Sequence, residues 1–222
     1  MIEEPPPTRI FLRPIGSPFP LGMSGLAVAS LVQSGLDLHW LGRQQTPAVG
    51  LILLAVPFVL QSLAAVFSYL ARDGSAGSAL GLLASTWLAV GLLHLASPVG
   101  GRSGALGLLL LAAGGTLAIS ASAVSVAKPL PGTVFMIEAV RFVLAGAYQL
   151  GAPTPWHQAA GIIGLAVVAL AGYCVLAFEL EGQRRQALLP TLRRGRGREA
   201  IVGTASEAID DVVHDAGVRQ TT

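Results

Sequence analysis

Charge is what this sequence has least of. Only 12% of its 222 residues are Asp, Glu, Lys or Arg, against about 25% in ordinary soluble domains. Lysine occurs once (Lys128), cysteine occurs once (Cys174), and aromatic residues make up 6%. A lone cysteine excludes a disulfide framework and a thiolate zinc site. The four histidines, His39, His94, His157 and His214, lie more than fifty residues apart. They form no His-Glu-x-x-His pattern, and the chain has neither a Gly-x-Ser-x-Gly elbow nor a phosphate loop. The residues therefore point to no catalytic constellation, no metal site and no cofactor.

The placement of the 26 charges says more than their number. Residues 1–13 hold four and residues 179–222 hold fourteen, leaving eight for the 165 residues between them: Asp37, Arg43, Arg72, Asp73, Arg102, Lys128, Glu138 and Arg141. A soluble domain cannot present a wet surface with so few charges, and so apolar a stretch is not disordered. The two ends are each neutral overall, so the net charge of +2 belongs to the middle of the chain and does not mark a nucleic-acid binder. The neutral gaps 14–36, 44–71, 74–101, 103–127 and 142–178 all exceed the roughly 18 residues needed to cross a bilayer as a helix. The start, Met1-Ile-Glu-Glu-Pro-Pro-Pro, lacks the basic run of a secretory signal, so no cleavage is expected.

This pattern predicts an all-α, integral membrane bundle of six transmembrane helices. The spans fall near 20–41, 47–71, 77–97, 104–126, 131–150 and 156–181. Gly151-Ala-Pro-Thr-Pro155 divides the longest gap, because two prolines cannot continue a helix. Continuous Leu/Ala-rich runs without alternation exclude barrel strands. The organisation is a segment 1–16, a transmembrane domain 17–181 and a charged tail 182–222. Arg9, Arg13, Arg72, Lys128 and the cluster Arg184, Arg185, Arg193, Arg194, Arg196 and Arg198 share one side, opposite Arg43 and Arg102, which puts both termini in the cytoplasm. The Arg cluster is expected against anionic headgroups. Ala208, Ile209, Val212, Val213 and Ala216 recur at helical spacing, either as a short amphipathic helix or as a solvated tail. A stripe of small residues, Gly77, Gly81, Ser85 and Ala89, suits close packing within the chain or between subunits.

Glu138 and Arg141 stand out. They lie three apart inside the fifth span, on one helix face. A charge at the bilayer centre costs about 2.5–3.5 kcal/mol on insertion scales. Two readings stay open: a structural ion pair that fixes helix register, or a functional site facing a cavity, with Arg141 as partner for a carboxylate and Glu138 tuning it or relaying a proton. His94 reads as a packed or interfacial residue in preference to a proton relay, and Gln61 either lines a path or hydrogen-bonds a neighbouring helix. Asp37 and His39 fall at the wet end of the first helix and receive no role. Trp87, unlike Trp40 and Trp156, sits mid-helix and away from the interface belts. At the first span, Ser17-Pro18-Phe19-Pro20-Leu21-Gly22 removes backbone donors where the chain enters the membrane. Such backbone is tolerated in lipid only if it is buried in protein or lines a wet cavity; a plain proline-started helix is the other reading.

These residues resemble the acetate uptake transporter family (YaaH/SatP-like), in an actinobacterial-type branch. The family's Asn-Pro-Ala-Pro-Leu-Gly-Leu is matched by Ser17-Pro18-Phe19-Pro20-Leu21-Gly22-Met23. Gln61, Ala64 and Tyr69, Gly81-Leu82 with Trp87-Leu88, and Gly161, Gly164, Tyr173 and Glu179 follow in the family's order over about 17–181. The resemblance implies uptake or exchange of small monocarboxylates, with succinate in some members, through a path in each six-helix protomer of a ring-shaped hexamer. It also implies an apolar constriction, with Leu26 and Trp87 at two of its positions and a third near Leu144. Ser17 replaces the family's asparagine, and Arg141 is the residue placed to bind the anion instead.

The function expected from the sequence is a channel or transporter for acetate or a similar short carboxylate, with or without proton coupling. It would sit in a bacterial cytoplasmic membrane, with a small carboxylate and the lipid bilayer as partners, a homo-oligomer as the assembly, and no nucleic acid. The alternative is a membrane scaffold that acts through its charged tail.

Overall fold

A computed structural model describes residues 16–97, 101–184 and 189–194, with only the backbone given for 182–184. Residues 1–15 of the expected segment 1–16, the amphipathic pattern at 208–216 and the tail arginines Arg185, Arg196 and Arg198 lie outside the described residues. The chain forms α1 (Phe19–Asp37), α2 (Thr46–Ala55), α3 (Pro57–Leu70), α4 (Gly74–Ala96), α5 (Gly104–Ala127), α6 (Pro129–Gln149) and α7 (Thr154–Arg184). With α2 and α3 counted as one span, six helices among the described residues are long and apolar enough to cross a membrane. Their outer faces carry large apolar side chains, with Val126 at 77% and Ile119 at 74% exposed. Exposed apolar surface on this scale belongs in lipid. The protein is a multi-pass membrane bundle.

Element ends follow local chemistry. Asp73 caps α4 by accepting from the Ala76 amide at 3.2 Å, and Ser103 caps α5 by accepting from the Leu106 amide at 3.3 Å. The expected loop before the fifth span is shorter than the sequence indicates. Pro129 and Pro131 both belong to the first turn of α6, where a missing N–H leaves no bond unmade. At the far end of α6, Gly151 takes φ +119° while the Ala152 amide donates to the Ala147 carbonyl at 3.0 Å. That left-handed closure is the usual helix stop. Arg72 adopts the same conformation, φ 61°, at the end of α3, without glycine's exemption from the steric cost.

The second span is broken where the sequence pattern shows a continuous run. Pro57 has no N–H to offer the preceding turn, so α2 stops at Ala55 and α3 begins at Pro57. α1 crosses this break closely. A Cβ on Gly25 would lie 3.1 Å from Gln61 Cγ and 3.4 Å from Pro57 Cα, and one on Gly22 would lie 2.6 Å from Leu80 Cδ2. The most intimate helix pair is α5 with α6. A Cβ on Gly107 would meet the Gly146 carbonyl at 3.0 Å, and one on Gly146 would meet the Gly107 carbonyl at 2.9 Å. In the small-residue stripe of α4, Gly77 and Gly81 pack against Tyr69 and Ala65 of α3, whereas Ser85 is exposed.

The core runs along the bundle axis from Phe19, Met23 and Leu26 of α1 through Leu80, Leu83 and Trp87 of α4 to Val134, Phe135 and Phe142 of α6, all buried. At the end shared by Ser17 and Glu181, Phe19 stacks on Phe178 at 5.3 Å. Lys128 pairs with Asp73 and lies 4.9 Å above the Phe19 ring. Residues 189–194 then return to this end. Tyr173 donates its hydroxyl to the Pro190 carbonyl at 3.1 Å, Thr191 is buried, and Arg193 pairs with Glu181 at 2.5 Å while lying 5.0 Å from the Phe178 ring. Arg193 is therefore turned onto the protein and not laid on headgroups as the sequence suggests, because Glu181, 9% exposed, needs a cation there.

Because backbone stands on both sides of the α5–α6 contact, Gly146→Leu has nowhere to go. Overpacking of this kind costs about 1–3 kcal/mol or more. We expect a clear loss of thermal stability in detergent micelles for Gly146→Leu and none for Ser85→Leu on the exposed face.

Candidate functional site

The spacing of polar residues on α1 builds one half of the site. Ser30, Gln33, Ser34 and Asp37 recur at three- and four-residue intervals, so an otherwise apolar helix carries a polar stripe toward its far end. α6 supplies the other half. Arg141 Nη1 lies 3.0 Å from Glu138 Oε1 and donates to Ser30 Oγ at 3.3 Å. Ser30 in turn donates to Glu138 Oε2 at 3.4 Å. Arg141 Nη2 lies 3.5 Å from Asp37 Oδ2. Glu138, Arg141 and Asp37 are at most 2% exposed. α7 leaves room for this cluster at its glycines: a Cβ on Gly164 would stand 2.8 Å from Arg141 Nε, and one on Gly161 would stand 2.9 Å from Asp37 Cβ.

Asp37 links the buried pair to the outside. Its Oδ1 accepts from Gln33 Nε2 at 2.9 Å and lies 3.7 Å from His157 Nε2. Gln33 Oε1 meets His94 Nε2 at 3.0 Å. Beyond these, Tyr148 is stacked between His157 at 4.2 Å and the Arg102 guanidinium at 4.1 Å. An unbroken row of polar groups thus runs from Glu138 to the face that carries Arg102.

Two adjoining chambers follow that row. The outer one, about 110 Å³, is bounded by Arg43, His39, His94, Tyr148 and His157. The inner one, about 40 Å³, shares Gln33, Asp37, His94 and His157 with it and ends on Trp87, Arg141 and Phe142. One wall of the inner chamber is apolar, formed by Val90, Leu106, Leu110 and Ala145. The indole of Trp87 stands edge-on to Phe142 at 5.4 Å and faces the Arg141 guanidinium at 5.7 Å, within cation–π range. Its buried Nε1 has no hydrogen-bond partner among the described residues.

The sequence-selected residues fall in two places. Glu138, Arg141 and Trp87 come together at the inner chamber. Leu26 is fully buried in the apolar core that also contains Trp87. Leu144 is half-buried, and the α6 residues that line the chamber are Arg141, Phe142, Ala145 and Gln149. The proline motif lies at the opposite end. Ser17 is exposed, Pro18 precedes α1, Phe19 is stacked on Phe178, and Pro20 and Leu21 border a shallow groove with Glu179. Gly22 offers its carbonyl to Gln61 Nε2 at 3.3 Å. Asp37 stands fifteen residues further along α1, about 22 Å away.

Asp37 and Gln33 were not candidates from sequence, and His94 was read as a packed or interfacial residue. Asp37 reads as a wet helix end, but it is 1% exposed, because the turn at Leu38–Leu41 folds back over it, with the Leu41 amide donating to the Gly35 carbonyl at 2.9 Å. The four-residue polar stripe on α1 is the signal that would have found it.

Comparison with solved structures places this architecture. The chain superposes on the structure of the bacterial acetate channel SatP with a TM-score of 0.71, over 99% of that chain and 80% of this one, at 20% identity. The fold is the acetate-channel fold. No protein-family model and no curated protein sequence matches the chain. Within this acetate-channel fold, the cluster of Asp37, Glu138 and Arg141 on α1 and α6 sits between the open chambers and the closed apolar core.

Arg141→Met would leave Glu138 and Asp37 buried without their cation. Removing one partner of a buried pair costs about 3–5 kcal/mol. Thermal denaturation in micelles should show a large loss for Arg141→Met, and much of it should return in the triple variant with Glu138→Gln and Asp37→Asn.

Proposed function

We propose that the chain conducts small organic acids, acetate or a similar short carboxylate, across a bacterial cytoplasmic membrane. The observation that carries this reading is the Arg141 guanidinium, buried at the foot of a polar chamber open to one face, with Trp87 and Phe142 directly behind it. Arg141 would hold the carboxylate by its forked N–H groups. Trp87, Phe142 and Leu26 would form the apolar barrier, which strips water from an anion or admits a neutral acid. The acetate-channel fold supports the same class of solute. Glu138 is the group through which a proton would accompany the acid, and transport with and without a pH gradient reads that coupling directly.

The excess of Arg and Lys on the side of the two termini argues that this side faces the cytoplasm. The chambers would then open outward. The proline motif, Ser17 to Gly22, with Gln61, would frame the cytoplasmic mouth. A homo-oligomer, hexameric by the family resemblance, completes the assembly, with exposed faces such as that of Ser85 available for subunit contacts.

Purified protein in liposomes should take up a labelled short carboxylate. Trp87→Ala should speed that uptake several-fold, and Arg141→Ala should weaken substrate affinity by about tenfold or more, the loss of one charge-assisted contact. Deleting residues 189–222 should leave flux in place. Flux of no carboxylate from either intact or truncated protein would favour the scaffold reading instead.

A further inference from the structure

The inner chamber ends on a guanidinium that is already engaged. Asp37 and Glu138 share one guanidinium, Arg141, and all three are at most 2% exposed. Arg141 Nη2 lies 3.5 Å from Asp37 Oδ2, so Asp37 alone already balances the guanidinium. A bare carboxylate arriving at Arg141 adds one more negative charge beside an apolar wall of Val90 and Leu110, where like charges are weakly screened and repel strongly.

A second observation bears on the ligand. Trp87 lines the same chamber, is 1% exposed, and leaves its indole N–H without a partner among the described residues. Buried donors are rarely left unsatisfied. The chamber therefore offers two unlike ends, with Arg141 Nη2 standing 3.5 Å from Asp37 Oδ2. Trp87 Nε1 and the Arg141 fork are donors; the Asp37 carboxylate is an acceptor. A solute that satisfies both ends bears a carboxylate and a cationic donor on the same short skeleton. The volume of about 40 Å³ corresponds to roughly three water molecules, so that skeleton is only a few atoms long.

We infer that the inner chamber selects small amino-substituted carboxylates, such as glycine or β-alanine, over unsubstituted ones, with the carboxylate on Arg141 and the Trp87 N–H and the ammonium on Asp37. The inference rests on the reading of the chain as a carboxylate-conducting protein and makes Asp37 the residue that sets specificity.

The test uses the full-length protein in liposomes with labelled glycine, β-alanine, acetate and propionate at equal concentration. Wild-type flux should favour the amino-substituted acids by about tenfold, the worth of one well-placed ionic contact. Asp37→Asn, close in shape, should remove that preference and raise acetate flux relative to glycine. Thermal unfolding in micelles supplies a reading that needs no variant: glycine should raise the melting temperature of wild-type protein more than acetate does at the same concentration. Acetate flux equal to or above that of glycine in wild-type protein overturns the inference and leaves the carboxylate reading standing. A wild-type preference for glycine that survives Asp37→Asn overturns the role of Asp37. Flux of none of the four solutes overturns both readings.

Discussion

The burial of Arg141 is the constraint around which this bundle is organised. A guanidinium cannot be left alone in an apolar interior, and the structure answers with two carboxylates, one hydroxyl and an indole face drawn from three other positions on α1 and α4 and one on α6 itself. Gly161 and Gly164 on α7 carry no side chain because those partners occupy the space. The polar stripe of α1, the register of α6 against it and the glycine face of α7 all answer to one charge. Replacing such a cluster by apolar residues is often neutral or stabilising in other proteins. Its position at the end of a wet chamber is therefore better explained by use than by stability.

The two halves of the molecule differ in what fills them. Toward the face with Arg43 and Arg102, polar side chains and open volume alternate from the surface down to Trp87. Toward the face with Ser17 and Glu181, Met23, Leu80, Leu83 and Phe135 close the axis, and the Phe19–Phe178 stack with its two overlying cations seals the end. The structure is thus open on one side of Trp87 and closed on the other, which is one of the two arrangements that a gated conductor has to visit.

Much of this was legible in the sequence. Long neutral gaps between rare charges gave the number of spans, and the prolines at 153 and 155 divided the last gap because their effect on a helix is local. Glu138 and Arg141 were legible as a pair because their spacing lies within one helix. Asp37 was not, because what buries it is a turn and a glycine on another helix, contacts set by tertiary packing and invisible to periodicity. The break at Pro57 was hidden by a hydrophobic run that reads as continuous whether or not its backbone bonds are. The aromatic partner of Trp87 shows the limit of resemblance: fixing a position on α6 to within one residue requires the helix rotation, which places Phe142 against the indole and leaves Leu144 only half-buried.

The partners of Arg141 are far apart in the order of synthesis. Asp37 belongs to the first span and Arg141 to the fifth, so three spans enter the membrane between them. Until α6 arrives, the carboxylate of Asp37 has no guanidinium to answer it. When α6 does arrive, it carries two ionised side chains into lipid at about 2.5–3.5 kcal/mol each unless they enter already paired. Glu138, one turn before Arg141, offers that pairing within the same helix. The local ion pair thus serves as an escort for insertion, and the contact with Asp37 becomes a late step that checks whether the first and fifth spans have found each other.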